Sequence, residues 1–495
     1  MITWGISANS HDAALAVFKH GIKGLTSKKD LKLVFASHSE RFSGIKNDAH
    51  LDDTLINYAR QWGEPNEVVW YEKSFRKTLR QLRAGQGWNY NENNIEQYLK
   101  TYNITAPIRY VGHHHSHAAA GYFTSPFSDA TVVCIDSIGE FETLTIWEAN
   151  GYKLKKVHSQ GYPHSIGLWY SAMTQRIGLK PNEDEYILMG MAAYGDPWRL
   201  YADIHKDFVS FNDTTVKFKK NLHKGCKDWR PDLTSEQDMY DIAAATQKLY
   251  THMLSEILLW AKYKCPSKNL VLMGGCALNC SANNQANTIY GDNVWIMPNP
   301  GDAGSAIGAV LAYHNYHINF DSPYLGYNIE GPYPIDKVIE ELKNTGICGV
   351  ANGRAEFGPR ALGNRSLFAD PRGIDIKDRV NDIKQRQRFR PFAPAVLEEH
   401  AAELFSGPRN GFMQYTSRCK DHSNYPAIVH VDGTSRVQVV NKHLHTGLYE
   451  LLRRWFDATG CPMLLNTSLN IKGKPMVNDE LDVKEFAQMY GVSVY

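Results

Sequence analysis

Twice along this chain a short apolar strand runs into a carboxylate-bearing polar turn and returns as a second strand. Thr3-Trp4-Gly5-Ile6-Ser7 passes through Ala8-Asn9-Ser10-His11-Asp12 into Ala13-Ala14-Leu15-Ala16-Val17-Phe18. Thr131-Val132-Val133-Cys134-Ile135 likewise ends in Asp136 and, beyond Glu140, is followed by Leu144-Thr145-Ile146-Trp147. Apolar runs of this length between turn residues read as strands. A hairpin plan used twice suggests an α/β first region made of two related halves. Within it Ile242, Ala245, Leu249, Met253, Ile257 and Trp260 recur at steps of three or four, which predicts an amphipathic helix over 236–263 lying on a sheet.

At 495 residues the chain exceeds what one core supports, so at least two units are expected. Between 320 and 334 proline, glycine and tyrosine displace the periodic pattern, dividing the chain into 1–325 and a smaller α/β unit over 335–495 that opens with a helix from Ile335. A composition 43% hydrophobic and 21% charged excludes a disordered or fibrous class. The start lacks a signal-peptide pattern and no apolar run approaches the roughly 20 residues that span a bilayer, so a cytoplasmic protein without a membrane partner is expected. Eight scattered cysteines without a CxxC pair read as free thiols. Net charge of +2 neither demands nor excludes nucleic acid, but Arg76, Lys77, Arg80 and Arg83 on one predicted helix can meet phosphates or merely form a solvated face.

The densest chemistry is Gly112-His113-His114-His115-Ser116-His117, where His113 and His117 share a helix face and can reach one metal ion. Two imidazoles leave a metal under-coordinated, and strand-ending Asp136 and loop residue Asp302 are the best carboxylates to complete it. The competing readings are a satisfied structural cluster for the histidines and helix capping for Asp302. Gly274-Gly275-Cys276-Ala277-Leu278-Asn279 follows a strand and can offer backbone amides to a nucleotide, or be only a turn. In the second unit Gly358-Pro359-Arg360 through Asn364-Arg365-Ser366, then Lys384, Arg386, Arg388 and Arg390, crowd cations that suit a small dianion, a triphosphate or a nucleic-acid backbone.

In this linear order the segments resemble the carbamoyltransferase family that includes nodulation-factor, cephamycin and tobramycin carbamoyltransferases, over nearly the whole chain. The resemblance implies an actin/Hsp70/sugar-kinase-like, duplicated α/β domain followed by a YrdC-like α/β domain. It implies that His113, His117, Asp136 and Asp302 hold Fe(II), with manganese or zinc compatible with the same donors. Gly274, Gly275 and Asn279 match a nucleotide loop, His11 and Asp12 an opening pair near the reacting centre, and Arg360, Lys384, Arg390, Arg436 and Ser468 positions that handle carbamoyl phosphate and ATP, the latter with Mg2+. The implied chemistry forms carbamoyl adenylate and then carbamoylates an acceptor hydroxyl, with His11 or His114 as base. Ser137 stands where the family usually has glycine and Ile187 where lysine is common, which bears on acceptor contacts.

For the acceptor, compact viral members and the basic run favour the hydroxymethyl group of 5-hydroxymethylcytosine, in DNA or a nucleotide. A sugar, antibiotic or other small-molecule hydroxyl is the alternative. A non-catalytic nucleotide-binding switch is the reading from a different class, and it leaves the arginine-rich second unit unexplained. A homodimer is the expected assembly.

Overall fold

β1 (Ile2–Ser7) and β2 (Ala14–Gly21) pair antiparallel with Thr3 opposite Phe18 and Ser7 opposite Ala14, the hairpin that the opening apolar runs predict. In the computed structural model, which describes residues 1–21, 30–212, 215–373 and 375–495, this hairpin extends into antiparallel β3 (Asp30–His38). On the other side of β1 lie β4 (Glu67–Trp70) and then β5 (Ile108–Tyr110), each parallel to its inner neighbour, giving the order β3-β2-β1-β4-β5. The central strand β1 is buried at every residue from Thr3 to Ser7, as a strand covered on both faces must be.

The second hairpin grows in the same way. β6 (Asp129–Gly139), β7 (Glu142–Asn150) and β8 (Lys153–Gly161) form an antiparallel meander. After a small hairpin of β9 (Val209–Asn212) and β10 (Thr215–Phe218), β11 (Leu270–Met273) joins β6 in parallel and β12 (Val294–Trp295) joins β11. The order β12-β11-β6-β7-β8 repeats that of the first sheet, so the duplication suggested by two hairpins extends to five strands each.

The helix expected over 236–263 spans Glu236–Lys264 and starts with a capping box between Ser235 and Asp238. Its predicted apolar stripe is buried except Trp260, whose ring meets His158 edge-on at 4.4 Å. The helices His113–Tyr122 and Ser305–His314 pack against each other so closely that a Cβ on Gly308 would lie 1.9 Å from the Ser116 carbonyl oxygen. Glycine is therefore the residue this contact admits.

These elements belong to unit 1, residues 1–43 and 47–320; unit 2 comprises 44–46 and 321–495. The tyrosine- and proline-rich text after 320 contains β13 (Tyr324–Ile329), and β14 (Ile347–Ala351) follows the helix Ile335–Thr345. β13 pairs with β15 (Gly353–Glu356). The main sheet of unit 2 orders β14 with β16 (Arg365–Ala369), β22 (Met463–Ser468), β17 (Ala393–Leu397) and β21 (Gln438–Val440) as β14-β16-β22-β17-β21. A smaller sheet joins β18 (Phe405–Ser406), β19 (Ser417–Cys419) and β20 (Thr434–Ser435). Phe368, Val396, Leu451, Trp455 and Leu464 lie in the core of unit 2. All eight cysteines are free, and among the described residues no helix is long and apolar enough to cross a membrane.

Candidate metal centre

His113 and His117 sit one turn apart at the start of their helix, and the end of β6 and the turn before Ser305 bring Asp136 and Asp302 to the same point. The Nε2 atoms of His113 and His117 are 3.1 Å apart. His113 Nε2 lies 3.2 Å from Asp136 Oδ2 and 3.3 Å from Asp302 Oδ1, and His117 Nε2 lies 3.5 and 3.3 Å from the same oxygens. Both imidazoles are buried. Burial works against charging the rings, but Asp302 and Asp136 outweigh it and raise the pKa of both; the histidines in turn hold both carboxyls below their ordinary range despite burial.

That arrangement has no good solution with protons alone. Two imidazolium N–H groups would point at each other across 3.1 Å, whereas neutral rings would leave two buried carboxylates short of positive charge. A cation resolves both. Donors spaced in this way around a tetrahedron leave a centre about 2 Å from each, the bond length of first-row divalent ions to nitrogen and oxygen. The donor set therefore fits a metal ion. His117 Nδ1 meets Ser305 Oγ at 3.3 Å, which turns Nε2 toward the cage.

Several supports were not legible as such in the sequence. Glu140, at φ +54 in the β6–β7 turn, accepts from the backbone N–H of Lys73 at 2.7 Å and of His113 at 3.4 Å, capping the histidine helix from outside its own segment. The buried Tyr71 ring lies 5.2 Å from His113, and burial, Glu72 and Asp302 raise its phenol pKa. The apolar strand that ends at Trp70, just before Tyr71-Glu72, is the signal that points to them.

Gly274 and Gly275 come to the same cage: the Gly275 N–H donates to Asp136 Oδ1 at 3.3 Å. Gly274 has φ +92 and faces Ile135 so closely that a Cβ would lie 2.1 Å from its carbonyl oxygen. Asn279 exchanges two 3.0 Å amide hydrogen bonds with Gln247. His11 Nδ1 is 3.1 Å from Asp12, its Nε2 is 2.8 Å from the Asn182 carbonyl, and although burial opposes it, Asp12 and Asp302 raise its pKa to about 9. With an acceptor at each ring nitrogen, His11 is a protonated group rather than a resting base.

His114 departs from the base role expected of it. The ring is fully buried with Nδ1 2.9 Å from Thr145 Oγ1, and burial together with His113 and His117 lowers its pKa to about 3, too low to take a proton near neutrality. The basic helix spends two of its four cations on ion pairs within the protein. It forms, over Ser74–Arg83, but Lys77 is buried against Glu72 at 2.7 Å and donates to the Asn9 carbonyl at 2.5 Å, while Arg76 pairs with buried Glu140 at 3.1 Å. Ser137 follows Asp136 in β6, and Ile187 is buried in the helix Glu185–Met191.

In unit 2 the cations sort by environment. Arg365 is fully buried and spends its guanidinium on the carbonyls of Tyr327, Asn352, Gly353, Asn364 and Asn478, a structural role. Arg386 stacks on Phe392 at 4.0 Å. Lys384 and Ser468 do come together: Lys384 Nζ donates to the Ser468 carbonyl at 2.7 Å, the Asn470 carbonyl at 3.1 Å and the Asn470 side chain. Burial, then Arg386 and Arg390, push the Lys384 pKa well below the usual lysine range. Arg360 follows Phe357-Gly358-Pro359 in a loop pinned by buried Glu356, whose Oε1 accepts from Leu362 and Asn364 N–H at 2.7 and 2.9 Å. Arg436 is half-buried, and its Nε finds no partner.

Fold and site together define an α/β protein with a candidate His2Asp2 metal centre in its first unit and, in its second, a buried lysine held by Ser468 and Asn470. The chain belongs to the carbamoyltransferase family: residues 66–311 match the carbamoyltransferase N-terminus and 339–494 the carbamoyltransferase C-terminus. It is 32% identical to an uncharacterized protein of Synechocystis sp. over 96% of this chain and 92% of that one. It is 30% identical to nodulation protein NolO of Bradyrhizobium diazoefficiens over 75% of each chain. It is 27% identical to 3'-hydroxymethylcephem-O-carbamoyltransferase of Amycolatopsis lactamdurans over 97% of each. A carbamoyl group carried to an acceptor hydroxyl is the reaction this membership supports.

Proposed function

We propose that the chain is an ATP-dependent O-carbamoyltransferase in which unit 2 forms carbamoyl adenylate and unit 1 delivers the carbamoyl group. The observation that carries this reading is the convergence of His113, His117, Asp136 and Asp302 on one buried point. Fe(II) is the proposed occupant, and an ion held there by His113, His117, Asp136 and Asp302 would supply Lewis-acid polarisation of the carbamoyl carbonyl.

In unit 2 Lys384, Arg360, Arg390, Arg436 and Ser468 bind the phosphates of carbamoyl phosphate and ATP. Hydrolysis of carbamoyl phosphate by one water yields carbamate and phosphate; a carbamate oxygen then attacks the α-phosphorus of ATP and displaces pyrophosphate, which Mg2+ accompanies. Gly274, Gly275 and Asn279 line the adenylate in unit 1. The acceptor oxygen forms its bond to the carbamoyl carbon as the bond to the AMP oxygen breaks. Protonated His11, oriented by Asp12, stabilises the phosphate that leaves, and the acceptor proton passes to a base other than His114.

The proposed acceptor is a hydroxymethyl group on an unsaturated ring. The cephem relative's name carries one such group, and 5-hydroxymethylcytosine carries another. With Lys77 buried and Arg76 paired, a free nucleotide or other small molecule is favoured over duplex DNA. The test supplies ATP, carbamoyl phosphate and Fe(II) with either 5-hydroxymethyl-dCMP or hydroxymethylated duplex. A mass gain of one carbamoyl group on the nucleotide is expected; carbamoylation of duplex alone, falling steeply with salt, would reverse the acceptor preference.

A further inference from the structure

A second group of metal-ligating side chains stands apart from the cage, at the other end of the helix that follows Asp302. His314 closes the helix Ser305–His314, His20 lies near the end of β2 and Glu67 opens β4. Each of the three offers one ligand atom, and these atoms lie within 4.8 Å of one another. His314 Nε2 is 3.0 Å from Glu67 Oε1, which also accepts from Thr3 Oγ1 at 3.0 Å, and Thr3 Oγ1 is 2.8 Å from His20 Nε2. The two imidazole rings meet edge-on with centroids 5.1 Å apart.

We infer that His20, Glu67 and His314 form a second, structural site for a first-row divalent cation of the zinc or cobalt type. Two imidazoles and a carboxylate are the ligand set such ions select, and the Thr3 hydroxyl stands beside His20 and Glu67 as a further oxygen. The side chains of His314 and Glu67 are 10% and 12% exposed, sheltered yet reachable from solvent. A hydrogen-bonded chain accounts for the contacts between neighbours, but gathering two rings around one carboxylate from three distant segments gains a packed core little. A bound ion would tie β1, β2 and β4 to the last turn of a helix whose first turn follows Asp302 and sets Ser305 against His117. The site would thereby brace one cage ligand from a helix length away, with binding energy appearing as folding stability.

The experiment is a metal count and calorimetric titration of the chelator-treated full chain with Zn(II), and with Co(II) as spectroscopic probe. Two equivalents are expected in the wild type and one in His20→Ala and in His314→Ala, with the thermal midpoint rise on Zn(II) reduced by several degrees. The near-isosteric Glu67→Gln, which preserves packing, should keep the metal-free midpoint and lose the same second equivalent. A metal count that none of the three variants lowers below that of the wild type overturns the inference, whereas one wild-type equivalent that all three variants lose would count against the cage instead.

Discussion

The two sites treat buried charge in opposite ways. In unit 1, carboxylates and imidazoles face one another with nothing positive between them except protons that fit poorly; in unit 2, a buried lysine faces neutral carbonyls and hydroxyls while two arginines bear on it. The first is short of a cation, whereas the second holds its lysine on uncharged oxygens rather than on a carboxylate. The lesson is that a ligand's sign can be read from which charge a buried site fails to balance, because unbalanced charge at low dielectric costs several kcal/mol and persists where a ligand compensates it.

The comparison breaks most sharply if the sites cannot be separated. His117→Ala should lower carbamoyl transfer about a thousandfold, the several kcal/mol that polarisation by a metal in the cage would supply, while sparing pyrophosphate release from ATP. Lys384→Met should do the reverse, cutting carbamoyl-phosphate-dependent pyrophosphate release on the order of a hundredfold and leaving the metal content of unit 1 intact. Equal loss of both activities in both variants would show that the division of labour is wrong.

Smaller effects sharpen the contrast between charges that serve ligands and charges that serve the fold. Lys77→Met leaves Glu72 buried without its partner and should cost about 3 kcal/mol by denaturant midpoint, without altering the salt dependence of any DNA association. Glu356→Gln, which weakens the acceptor for the loop amides of Leu362 and Asn364, should cost about 1–2 kcal/mol. His11→Asn is the gentlest. A folded pKa raised from 6.5 to about 9 gives stability present below pH 6.5 and lost as pH rises through about 9, and with 42% of the side chain exposed the variant should flatten that slope by less than about 1 kcal/mol.

What was legible in the sequence was what local periodicity encodes. His113 and His117 are four apart on one helix, so their convergence follows from helical pitch, and Asp136 was visible as the end of an apolar strand. The doubled hairpin disclosed the plan of both sheets, although β4, β5, β11 and β12 join through long crossovers that no local pattern announces. Contacts between distant segments stayed hidden. Glu140 capping the histidine helix, Glu356 under the Arg360 loop and Arg365 bound to five carbonyls all depend on where the chain returns. The sequence likewise does not reveal that Glu72 already holds Lys77, that Glu140 holds Arg76 or that backbone carbonyls hold Arg365.

The most direct test of the central claim is pyrophosphate release from ATP by the purified chain with Fe(II), with and without carbamoyl phosphate and before any acceptor is supplied. Release that requires carbamoyl phosphate is the predicted result. ATP left intact in every mixture, or hydrolysed equally without carbamoyl phosphate, would contradict it.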